Sequence, residues 1–181
     1  NLILIRAPWH TRSTDEYLRN VSSLLGFTAL LAISVNLIEA LIHRLREMGS
    51  GPVSLSGISL GGWIINIHRA CLNTADRYIP LLAGAALGDL FLTSDFRRMT
   101  SPHALLLPGR IRRALDFEDD FQAIPDPNVF PLLARFDRFV RYDRQVQSYA
   151  GHPVRVLEKG HITAALAPAL LRKHILEHLP V

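Results

Sequence analysis

The chain has 181 residues, 49% of them hydrophobic, which suits one globular domain with a sizeable core. Its 20 Lys plus Arg against 16 Asp plus Glu leave a net charge of only +4, and Lys159 and Lys173 are the only lysines. Scattered arginines without aromatic interleaving exclude a nucleic-acid partner as an expectation. One cysteine, Cys71, excludes an internal disulfide framework and fits a reducing compartment, so a cytoplasmic location is expected.

In chain order, LILIR at residues 2–6 reads as a buried strand. The polar stretch APWHTRSTDEY follows as a loop, and His10 within it suits a loop role. The sequence does not open on a secretory leader, and Asn20-Val21-Ser22 is then an incidental sequon. Residues 24–42 are the most apolar region, but Asn36 and Glu39 interrupt it. A buried helix from Phe27 to Met48 is expected rather than an integral membrane segment. Gly49 to Pro52 end it. A strand over Val53–Ser56, a helix over Leu60–Leu72 and a strand over residues 78–87 come next.

Residues 88–128 carry four prolines and the acidic run DFEDD, and read as an insertion or lid-like region of the same domain. Strands at residues 131–136 and 153–158 and a closing helix at 164–179 complete the order. Alternating strands and helices predict an α/β fold, a three-layer α/β/α sandwich around a mostly parallel sheet. In such sheets, sites gather at the carboxyl ends of the strands.

The stretch Gly57-Ile58-Ser59-Leu60-Gly61 lies at one such end and fits G-x-S-x-G. A strand enters and a helix leaves with no loop residue to spare, so Ser59 is expected on a strained turn. A Cβ at Gly57 or Gly61 is expected to clash there, and Gly62 to let helix and strand approach closely. The Leu60 N–H, at the helix start, is the expected oxyanion donor. A serine nucleophile needs a base and the base an orienting acid, which on this scaffold follow in the order serine, acid, histidine. Asp137 ends the apolar run PLLARF, and Asp143, its rival, lies further on in a polar stretch.

Of the eight histidines, only His161 follows a late strand and precedes a helix. His152 lies before that strand, and His103 precedes the acid. His43 and His68 read as structural, and His174 and His178 as surface residues of the last helix. No metal-ligand cluster is expected. Without a G-x-G-x-x-G after a strand, no nucleotide cofactor is expected either. In the insertion, Phe91, Phe96 and Leu105 to Leu107 are candidates for an acyl pocket. Arg97, Arg98, Arg110, Arg112 and Arg113 are candidates for an anionic head group, with a solvated surface the plainer expectation.

The pieces LILIRAPWHTR, LRNVSSLL, GPVSLSGISLGG, ARFDRFV and LEKGHITAAL resemble the α/β-hydrolase superfamily. Within it they are most similar to the branch typified by α/β-hydrolase-domain-containing protein eighteen. The resemblance implies a serine hydrolase with Ser59 as nucleophile, Asp137 as acid and His161 as base, without a cofactor. It departs from the family pattern at Arg141, where proline is common. It also implies that upstream strands and a glycine-rich loop carrying the second oxyanion N–H precede the first residue here, leaving a bare sheet edge. The activity expected is hydrolysis of a small acyl ester or lipid through an acyl-enzyme. The alternative is a non-catalytic binding or assembly module of the same fold.

Overall fold

The computed structural model describes residues 1–9 and 13–180. Four strands, β1 (Ser54–Ile58), β2 (Arg77–Leu81), β3 (Leu132–Ala134) and β4 (Arg155–Leu157), form one sheet in the order β1-β2-β3-β4. All three pairings are parallel, with Ser54 opposite Arg77, Leu81 opposite Leu132 and Leu132 opposite Arg155. Parallel pairs need crossovers, and crossovers place helices on the faces.

Strand alternation divides the core in two. Tyr78 and Leu133 face a cluster containing Leu30, Ile42 and Trp63. These come from α2 (Leu24–Glu47) and α3 (Leu60–Cys71). Ile79, Leu81 and Leu132 face the other side, against Ala164 of α9 (His161–Ala165) and Leu171 of α10 (Pro168–Glu177). The result is the expected three-layer sandwich, with β1 at one edge of the described sheet.

Helix α2 follows α1 (Thr14–Val21) and is capped by the Ser23 hydroxyl, which accepts from the Gly26 N–H at 3.1 Å. By length and composition α2 could cross a membrane. One face, with Phe27, Leu31, Val35 and Ile38, is instead buried in the core, while Leu25, Ile33 and Leu37 on the other are exposed. A polar chain locks it down. The Ala75 N–H donates to the Tyr78 hydroxyl, which donates to His68 Nδ1, and His68 Nε2–H donates to Glu39 of α2 at 3.0 Å. His68 is fully buried, and burial holds it below the usual imidazole range, which fits this neutral tautomer.

The structure corrects four expectations. Residues 2–6 form no strand, and Leu2 and Leu4 are exposed. An apolar run becomes a strand only beside another backbone ladder, and among the described residues β1 pairs with β2 alone. The strand expected over residues 78–87 stops at Leu81, because Leu82 turns the chain at φ 56°. The small residues beyond it satisfy their backbone groups from side chains instead. The Ala85 N–H donates to the Ser148 hydroxyl and the Ala86 N–H to Gln145 Oε1. The last helix starts three residues early, at His161, and Pro168 divides it into two. His174 is buried rather than on the surface.

The stretch read as an insertion is helical. It comprises α4 (Leu87–Thr93), a 3-10 turn at Asp95–Met99, α5 (Pro102–Leu105), α6 (Pro108–Leu115) and α7 (Glu118–Gln122). Its Phe91, Ile111 and Phe121 are buried. Arg69 of α3, itself fully buried, holds the following coil. It donates to the carbonyls of Phe121, Ile124 and Asp126 and to Asn128 Oδ1. A last short helix, α8 (Tyr142–Gln145), lies between β3 and β4.

Candidate active site

Ser59 is the single residue between β1 and α3, and it holds φ 51° and ψ −109°. A non-glycine residue there costs about 1–3 kcal/mol unless its surroundings impose it. Two bonds do so. The Ser59 N–H donates to the Leu81 carbonyl at 2.7 Å, and the Ser59 carbonyl accepts from Trp63 N–H at 3.0 Å. Because Ile58 pairs with Leu81, the first bond continues the β1–β2 ladder by one residue into the turn.

The glycines around Ser59 have distinct jobs. A Cβ on Gly57 would lie 2.4 Å from the Gly61 carbonyl carbon and oxygen, so this position must stay bare. On Gly62 it would lie 2.6 Å from the Ala83 Cβ just past β2, and 3.0 Å from the Leu81 carbonyl oxygen and 3.2 Å from that of Gly57, as expected of close helix–strand packing. On Gly61, contrary to expectation, it would meet nothing within 4 Å. The tight contact is with the Gly61 backbone, so the residue that must lack a side chain is its partner, Gly57.

Asp137 lies in the turn after β3 and is 7% exposed. Its Oδ1 accepts the N–H groups of Phe139 and Val140, both at 2.8 Å, which fixes the carboxylate plane. Its Oδ2 is 2.5 Å from His161 Nδ1. His161 opens α9 immediately after the β4 turn, and the Gly160 N–H donates to the Thr163 hydroxyl at 3.0 Å, fixing that entry. His161 Nε2 lies 2.9 Å from Ser59 Oγ. With Nδ1–H donating to Asp137, Nε2 is left to accept the serine proton, the tautomer a general base needs.

The structure thus brings Ser59, His161 and Asp137 into one hydrogen-bonded line at the carboxyl ends of β1, β3 and β4. Leu60 opens α3, where a helix N–H has no acceptor one turn back. Asp143, the rival acid, is exposed and paired with Arg141 at 2.6 Å. His43 binds Glu39 at 2.9 Å on the surface of α2, and His103 is exposed on α5. His10 lies outside the described residues.

Beside Ser59 is a cavity of about 240 Å³ that sequence reasoning found only in part. Of the insertion candidates, Phe96 lines it. Phe91 is core beneath Phe96, and Leu106 and Leu107 are exposed. The missed residues include Phe27 of α2, Trp63 of α3 and Phe139 of the acid turn. They come from three distant parts of the chain, and no sequence spacing marks them as neighbours. The candidate arginines Arg97 and Arg98 line a separate, more open cleft with Asp95, and Arg110, Arg112 and Arg113 are exposed on α6.

Among the described residues, His174, Glu177 and His178 place ligand-type atoms within 4.8 Å of one another, a cluster the sequence did not suggest. Protein groups occupy much of it. His174 Nε2 donates to the Phe130 carbonyl, His178 Nδ1 to the His174 carbonyl, and Glu177 pairs with Arg155 at 2.6 Å. No member of the triad belongs to it.

No protein-family profile and no curated protein matches the sequence. The fold does match solved structures. Acylaminoacyl peptidase from Pyrococcus horikoshii superposes over 92% of this chain and 29% of its own, at TM-score 0.60 and 16% identity. A puromycin hydrolase does so over 91% of this chain and 27% of its own, at TM-score 0.53 and 16% identity. The fold is that of the α/β-hydrolases. A glycosylation-associated protein complex from Streptococcus agalactiae also matches, over 77% of this chain and 31% of its own, at TM-score 0.53 and 15% identity. The chain spans less than a third of the length of these three structures.

Proposed function

We propose that this protein is a serine hydrolase that cleaves a carboxylic ester through an acyl-enzyme. The observation that carries the proposal is the Ser59–His161–Asp137 line, with a 2.9 Å and a 2.5 Å contact, ending on a serine held at φ 51°. In the reaction, Ser59 Oγ attacks the acyl carbonyl while its proton passes to His161 Nε2. Asp137 keeps the imidazole oriented and balances the cation that forms. The Leu60 N–H donates to the oxyanion. His161 then gives its proton to the leaving alcohol, and a water, deprotonated by His161, releases the acid and restores Ser59.

The narrower resemblance to the branch of α/β-hydrolase-domain-containing protein eighteen is part of this proposal and rests on GISLGG, ARFDRFV and GHITA. So is a cytoplasmic location, which rests on the single cysteine. A fluorophosphonate probe tests the chemistry. The protein should label covalently, and Ser59→Ala, checked for an unchanged circular dichroism spectrum, should not. Equal labelling of the variant would overturn the assignment.

A further inference from the structure

The cavity beside Ser59 carries more than the chemistry, and its role in selecting a substrate rests on the hydrolase reading. Its wall is almost wholly apolar. Besides Ser59, His161 and the indole N–H of Trp63, no lining side chain carries a polar atom, and none carries a carboxylate or a permanent positive charge. Three elements supply the rings. Phe27 stands edge-on to Phe96 at 6.2 Å, and Phe96 edge-on to Phe139 at 6.3 Å. Phe139 in turn packs edge-on to the His161 imidazole at 5.5 Å. The apolar wall therefore reaches the catalytic base without a break.

Such a wall restricts both the polarity and the size of what it can hold. A charged acyl group entering it would lose its water and meet no ionic partner along the wall. The volume of about 240 Å³ corresponds to roughly eight groups the size of a water or a methylene.

We propose that this cavity is the acyl site, and that it selects neutral, apolar acyl groups of medium length over acyl groups bearing a carboxylate or an ammonium. Phe96 sets the length. It is half-buried, sits on the short 3-10 turn rather than on a sheet strand, and touches Phe27, Phe91 and Phe139.

The test separates the cavity from the chemistry. In Ser59→Ala, which keeps the wall and removes the nucleophile, 1-octanol, 8-hydroxyoctanoate and 8-hydroxyoctylammonium, the last two charged at the far end of the chain, are titrated against the fluorescence of Trp63, with Trp9→Phe added to remove the only other tryptophan. Octanol should bind about tenfold or more tightly than either ion. In parallel, the protein with Ser59 present is reacted with p-nitrophenyl alkylphosphonates from methyl to dodecyl. The inactivation rate should peak near the middle of the series, and Phe96→Ala should move the peak to longer chains. Equal binding of the three ligands, or a flat series in a protein that still labels at Ser59, overturns the acyl-site proposal and leaves the hydrolase reading standing. Selective octanol binding without any labelling supports the cavity and removes the hydrolase reading.

Discussion

At the scale of single residues, the elbow shows how much one missing atom matters. Gly57 faces the backbone of Gly61 so closely that a Cβ would sit 2.4 Å from it, whereas a Cβ on Gly61 has open space. Gly57→Ala must therefore push α3 away from β1 and is expected to cost about 2–3 kcal/mol. Gly61→Ala should be neutral or stabilise by up to about 1 kcal/mol, since alanine is the better helix former. Urea midpoints of the two variants check this, and equal losses would contradict it. The triad residues were legible for a related reason. Each follows the end of a strand, and strand ends can be read from short apolar runs flanked by glycine or polar residues. The cavity wall was not legible, because Phe27, Phe96 and Phe139 meet only through the fold.

At the scale of elements, what could be read depended on whether a local signal decided it. The C-terminal end of α2 follows from Gly49, whereas its start, expected at Phe27, lies at Leu24 behind the Ser23 cap, and α3 follows from the apolar run after Gly61. Residues 2–6 have the composition of a strand, but composition cannot say whether a neighbouring ladder is present. The segment after Leu81 has small apolar residues that suit a strand equally well, yet its polar groups are met by Gln145 and Ser148, about sixty positions later in the sequence. Arg69 makes the same point for the coil after α7. Fully buried itself, it supplies donors to three carbonyls and one amide oxygen along that coil. Arg69→Met would keep much of the volume and leave those acceptors unmatched. We expect a loss of about 3 kcal/mol or more, with proteolysis beginning between residues 121 and 128, the stretch Arg69 holds. Limited proteolysis and thermal melts of the variant measure both.

At the scale of the whole molecule, buried imidazoles make stability depend on pH. Burial pushes His68 and His174 below the ordinary imidazole range, and His152 likewise. For such a group the unfolded chain binds the proton more readily, so its contribution is full above the unfolded pKa of about 6.5 and is lost as pH falls below it. Burial works against ionisation of Glu39, but the hydrogen bonds from Thr74 and His68 win and hold its carboxyl low. Its own contribution therefore fades only at more acidic pH. The Tm should accordingly fall between about pH 7 and about pH 5. The slope should be shallower in His174→Phe, which cannot take up the proton. A flat profile in the parent protein would count against it.

The bond from the Ser59 N–H to the Leu81 carbonyl has a bearing on local opening. Turn amides at a protein surface normally exchange their hydrogens with solvent quickly. This one is the last rung of the β1–β2 ladder, and it can be released only when the strands part. Its deuterium uptake should therefore keep pace with that of buried Ile79 rather than with neighbouring loops. A serine whose amide is protected to that depth is held by the sheet itself, so loosening β1 from β2 anywhere along their length would be felt at its Oγ.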